Sequence, residues 1–185
     1  VFIGFVQRRL NAFVVGFDDL KREINLAERP ATNASPLIFL SRAGLVDFLQ
    51  LEGSQIVVPK PVADEIHVVA PTIPPFNNRE NQLAMRVEPP PIPDTIRAWD
   101  LGVGETSVLA WGSHNPATVI IVDDLAARRC AASHGISVRG TLGLILTAKK
   151  RGMIPEARPV LEKLRQSGMY LSDRILNQAL ALIGE

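Results

Sequence analysis

Five oxygen-bearing side chains fall where strands should give way to helices: Asn33, Glu65, Glu105, Asp123 and Asp124. The clearest of these places is Thr118-Val-Ile-Ile-Val-Asp-Asp124, an unbroken apolar run ending in two adjacent carboxylates. Such a run is expected of a parallel strand buried on both faces, and it delivers acid to the edge of a sheet. Ligand crevices in α/β sheets open outside the carboxyl ends of the strands, so at least one of the two aspartates should face a cleft while the other caps the next helix. Carboxylates gathered at one edge repel and raise each other's pKa unless a cation neutralises them. Mg²⁺ and Mn²⁺ prefer oxygen ligands and keep part of their water shell. The chemistry that fits is metal-assisted hydrolysis of a phosphodiester, with the ion activating water and stabilising the leaving oxygen. Taken singly, Glu65 and Glu105 also read as solvated acids favoured by a helix dipole, and Asp123 with Asp124 as an N-cap and a first-turn acid.

The elements that must position these groups follow a strand, turn and helix rhythm from Ala31 onward. In Asn33-Ala-Ser-Pro-Leu-Ile38 a capping serine precedes a proline, which predicts a helix starting at Ser35 or Pro36 with Asn33 just before it. Gln55 to Pro59 is a short β-branched strand, and Pro61 opens a helix that carries Asp64 and Glu65. Gly102-Val-Gly-Glu105 leads into a helix-forming run, so Glu105 stands in its first turn. Leu125 to His134 reads as a helix closed by Gly135, Ile136 to Arg139 as a short strand, and Leu142 to Arg151 as a helix closed by Gly152. Pro155 to Gln166, closed by Gly168, and Ser172 to Ile183 supply two more helices. Proline-rich stretches starting at Ala70 and Glu88 bracket an excursion that is neither helix interior nor central strand. Before all this, Phe17, Leu20, Ile24 and Ala27 at helical spacing mark an amphipathic helix in an N-terminal extension over residues 1–30.

Composition narrows the class. A chain of 185 residues supports one core that buries roughly 70% of its unfolded surface. A formal charge of +1 gives no global pull on nucleic acid, so any such binding needs local cations such as Arg128, Arg129 or Lys149-Lys150-Arg151. Those cations otherwise cover helix surface or stabilise a helix C-terminus. Cys130 alone excludes an intrachain disulfide and points to a reducing cytoplasm. No apolar run reaches the ~18 residues of a membrane span, and Val1 to Val6 is too short for a signal segment. His67, His114 and His134 have no metal-ligand spacing, and Trp99, Trp111 and Tyr170 are too scattered for a stacking platform.

Asn33-Ala-Ser-Pro-Leu-Ile38, Val58-Pro59 through Val62-Ala-Asp-Glu65, Gly104-Glu105, Val122-Asp-Asp124 with Ala127-Arg128, and Gly140-Thr-Leu-Gly143 with Ala148-Lys-Lys-Arg-Gly152 together resemble a PIN-domain protein. More narrowly they resemble the prokaryotic branch related to VapC-type toxins. The resemblance runs in order from Ala31 to Glu185, the span of the expected nuclease domain. It implies a three-layer α/β/α fold with a mostly parallel central sheet and an acidic Mg²⁺ or Mn²⁺ site. Glu65, Glu105 and Asp124 match the family's acids, Asp123 stands beside the last, and Ser35 matches the small hydroxyl residue that supports the first motif. Asn33 matches the first acid, commonly aspartate, and an amide oxygen there brings no charge. The resemblance also implies a cytoplasmic endoribonuclease acting on RNA, the toxin of a toxin–antitoxin pair with an antitoxin protein as partner, and a homodimer.

Two further readings stand beside this one. Asn33 in place of an acid suits a catalytically silent PIN-like module that binds RNA or protein through the same groove. The Asp-Asp pair also suggests a receiver-like phosphoacceptor, but receivers carry their acid pair after the first strand and here it comes at 123 and 124.

Overall fold

The computed structural model describes residues 29–73 and 83–185. The amphipathic helix expected before residue 29 lies outside the described residues. Five strands form one sheet in the order β3-β2-β1-β4-β5, every neighbouring pair parallel. They are β1 (Ala31–Thr32), β2 (Ile56–Pro59), β3 (Ala84–Val87), β4 (Val119–Ile121) and β5 (Ser137–Arg139). Successive strand residues point to opposite faces, and Ile56, Val57 and Val58 of β2 all have 0% exposure. Both faces of the central strands are therefore covered, which gives the three-layer α/β/α arrangement with a parallel sheet. The edge strands β3 and β5 retain exposed positions.

The helices are α1 (Ala34–Arg42), α2 (Lys60–Val69), α3 (Asp94–Arg97), α4 (Val103–His114), α5 (Leu125–Ser133), α6 (Thr141–Lys150), α7 (Arg158–Gln166) and α8 (Asp173–Ala181). A short 3₁₀ helix spans Val46–Leu51. α1 begins one residue earlier than Ser35, because Asn33 takes the cap: its Oδ1 accepts from Ala34 N–H at 2.7 Å. Asparagine caps as well as serine does, so the earlier of two adjacent capping residues won. α2 likewise starts at Lys60, with Pro61 inside its first turn. The excursion after Ala70 holds β3, a strand missing from the sequence reading. Proline flanks it and only one neighbour, β2, pairs with it, which is where such a segment is tolerated in a sheet. Left-handed Gly135, Gly152 and Gly168 end α5, α6 and α7 as expected. Cys130 is fully buried.

α4 lies against the middle of the sheet, with Val108, Leu109 and Ala110 at 0% exposure. Gly112 makes that approach possible. A methyl group there would come within 2.6 Å of Ile136 Cγ2 and 2.9 Å of Ile120 Cγ2, and β-branched isoleucines have little rotamer freedom to yield. Overpacking costs about 1–3 kcal/mol while alanine regains up to about 1 kcal/mol of helix propensity. Gly112→Ala should therefore destabilise the protein by up to about 2 kcal/mol. Urea denaturation reads this as a lower midpoint at unchanged slope, and an unchanged or raised midpoint would contradict the close packing.

Candidate acidic site at the carboxyl edge of the sheet

The strand order reverses direction between β1 and β4, and the crevice of a doubly wound sheet opens at such a point. Asn33 follows β1 directly, with its backbone N–H on Ile121 O of β4 at 3.1 Å. Its residue is 2% exposed, so the side-chain amide must find partners within the protein. Oδ1 takes the Ala34 N–H, and Nδ2 donates to Glu105 Oε1 at 2.7 Å. A carboxylate accepts only, which fixes the orientation of the amide without ambiguity.

Glu105 stands in the first turn of α4, as the sequence predicted. That turn is held by local side-chain bonds, since Thr106 Oγ1 donates to Gly102 O at 2.8 Å and Ser107 Oγ to Val103 O at 2.6 Å. Glu65 projects from α2, and partial burial, followed by the charge of Glu105, holds its carboxyl above the ordinary glutamate range. The residue as a whole is exposed, so solvent screens part of this repulsion. Gly104 lets these groups approach its backbone closely. A methyl at Gly104 would fall 2.9 Å from Glu65 Oε2 and 3.0 Å from Asn33 Oδ1. A carboxylate oxygen and an amide oxygen thus close on the same glycine, and the amide nitrogen joins them to a second carboxylate.

The two aspartates are engaged differently. Asp123 accepts from Thr141 N–H at 2.7 Å and from Thr141 Oγ1 at 2.6 Å, tying the end of β4 to the start of α6. Asp124 is exposed and is the N-cap of α5, accepting from Ala127 N–H at 2.8 Å. The capping alternative read from the sequence therefore describes Asp124, while the partner of Asp123 lies across the β5–α6 turn. The structure brings Asn33, Glu65 and Glu105 together. Ser35, half-buried in the first turn of α1, makes no side-chain hydrogen bond among the described residues. No group of three or more His, Cys, Asp or Glu side chains is assembled for a metal among the described residues. The close approach at Gly104 was not foreseen, although two glycines just before Glu105 were its signal.

These donors fit a hard cation of the Mg²⁺ type, which is commonly held by one or two carboxylates with water and substrate phosphate completing its shell. The Glu65–Glu105 pair supplies two such groups, and the Asn33 oxygen reaches the same place because Gly104 has no side chain to keep it away.

The chain matches a family model described as DUF3368, PIN domain, over residues 30–185, and so belongs to that family. PIN domains are nuclease-like or nucleic-acid-binding modules whose nucleases typically use divalent metals. No curated protein and no solved structure matches the chain. No helix among the described residues is long and apolar enough to cross a membrane.

Because the folded state holds the proton on Glu65 more tightly than the unfolded chain does, stability should fall as pH rises from the ordinary glutamate range through the raised value. Glu65→Gln removes that penalty. In metal-free buffer the variant should gain urea midpoint over the natural protein, with the advantage growing from acid to neutral pH. An advantage independent of pH would mean that Glu65 is not under electrostatic pressure.

Proposed function

We propose that the chain is a divalent-metal-dependent endoribonuclease of the PIN type, hydrolysing phosphodiester bonds at the Asn33–Glu65–Glu105 cluster. The observation that carries the reading is the pair of mutually repelling carboxylates that, with the Asn33 amide, gather at the bare backbone of Gly104. Glu65 and Glu105 would hold Mg²⁺ or Mn²⁺, which supplies Lewis acidity and a water of lowered pKa. Asn33 holds Glu105 in place through its Nδ2–H and contributes an uncharged oxygen at the rim. Asp124 and Asp123 stand at the same sheet edge, where their charge adds to the pull on a cation. The resemblance of the sequence motifs to VapC-type toxins extends this proposal to a cytoplasmic homodimer neutralised by an antitoxin protein.

A second reading has its own observation. The Asn33 amide already satisfies one oxygen of Glu105, and both aspartates accept hydrogen bonds from helix N-termini. That arrangement is also serviceable in a module that binds RNA without cutting it.

Calorimetric titration with Mn²⁺, run beside an assay of RNA cleavage, separates the two. Glu105→Gln and Gly104→Ala should each lose Mn²⁺ binding and cleavage while remaining folded. Asn33→Asp puts a third carboxylate against Glu105, so it should strengthen Mn²⁺ binding and lower the metal-free melting temperature. Absence of Mn²⁺ binding in the natural protein, with RNA still bound, would overturn the nuclease reading in favour of the silent module.

A further inference from the structure

Arg128 stands on α5 close to the acidic edge. Four residues past the cap of α5, its side chain turns back along the helix towards the sheet, as helical side chains do. A methyl group on Gly140 would lie 3.3 Å from Arg128 Nη1 and 3.1 Å from Asp123 Oδ1. The guanidinium thus rests over the bare backbone at the turn into α6. Asp123 stands beside it without forming an ion pair, and both of its oxygens accept from Thr141. No side-chain hydrogen bond or ion pair engages Arg128 among the described residues, and the residue is exposed. Other cations are committed elsewhere: Arg139 to Glu52 at 2.9 Å, Lys149 to Glu185 at 3.0 Å and Arg165 to Asp173 at 2.9 Å.

Sheet register gives the distance to the acids. Thr32 pairs with Ile121 and Ile121 with Arg139, so one residue further on Asn33, Val122 and Gly140 occupy a single row across the carboxyl edge. Two strand spacings separate Asn33 from Gly140, about 10 Å. One phosphate group does not span that gap, so a strand whose scissile phosphate lies against Glu65 and Glu105 meets Arg128 with a different phosphate.

We infer that Arg128 is a positioning residue that grips a phosphate flanking the scissile one and sets the path of a nucleic-acid strand from α4 across β4 to the β5–α6 turn. The inference rests on the nuclease reading for the direction of the strand but requires only binding for its test. A guanidinium suits this task, since it matches phosphate oxygens with two donors and stays charged at any accessible pH. Gly140 serves it by leaving room above the backbone.

The test is fluorescence anisotropy of labelled single-stranded RNA, with DNA of the same sequence as a parallel arm, over a salt series with metal chelated so that nothing is cut. Arg128→Ala should weaken binding about tenfold and reduce the slope of log affinity against log salt by about 0.7–1, one phosphate contact. Arg128→Lys should recover the slope and only part of the affinity. Arg129→Ala removes the same charge one residue along the helix and should change the slope little. In a cleavage assay Arg128→Ala should raise KM with kcat nearly unchanged. Natural affinity and slope in Arg128→Ala, or an equal loss in Arg129→Ala, would overturn the assignment and leave the acidic site untouched. A natural protein that binds neither RNA nor DNA would remove the nuclease reading and this one with it.

Discussion

Asn33 connects three parts of the structure at once. Its backbone N–H extends the β1–β4 pairing, its Oδ1 starts α1, and its Nδ2 holds Glu105 on α4. The side chain is almost fully buried, so each of these bonds must be made for the amide to leave water without a penalty. An aspartate could take the cap but would repel Glu105. An alanine would leave both α1 and Glu105 without their partner. The edge of the sheet and the orientation of its central acid are therefore set by one amide, and the remaining site is built outward from it.

The second constraint is electrostatic. The fold brings Glu65 towards Glu105 and partly removes it from water, and the shift of its carboxyl is the mark of an arrangement that costs stability when empty. Such arrangements persist where a cation makes use of them. Gly104 allows the oxygens of Glu65 and Asn33 to close on its backbone, while Gly140 does the same service for Arg128 and Asp123 at the other end of the row. Two residues without side chains thus let the polar groups gather at the sheet edge.

Much of the architecture was legible in the sequence because its signals are local. The apolar run into Asp123 and Asp124 reads as a central parallel strand, and Gly135, Gly152 and Gly168 mark helix ends through their own backbone freedom. β3 was not legible, since four residues between proline-rich flanks carry no periodicity of their own and exist as a strand only by pairing with β2. The same division runs through the site. Glu105 in a first helical turn follows from the glycines before it, whereas its bond to Asn33 joins residues 72 apart and depends on a tertiary approach. The engagement of Asp123 by Thr141, across 18 residues, could not be separated beforehand from capping of the next helix, the task that Asp124 performs.

The central claim is that Glu65 and Glu105 form the seat of a divalent cation. The most direct measurement is anomalous scattering at the manganese edge from a crystal grown with Mn²⁺. The account predicts a manganese peak in contact with both carboxylates, beside Gly104 and Asn33. A well-ordered crystal with manganese bound only elsewhere, or with both glutamates bare, would contradict it.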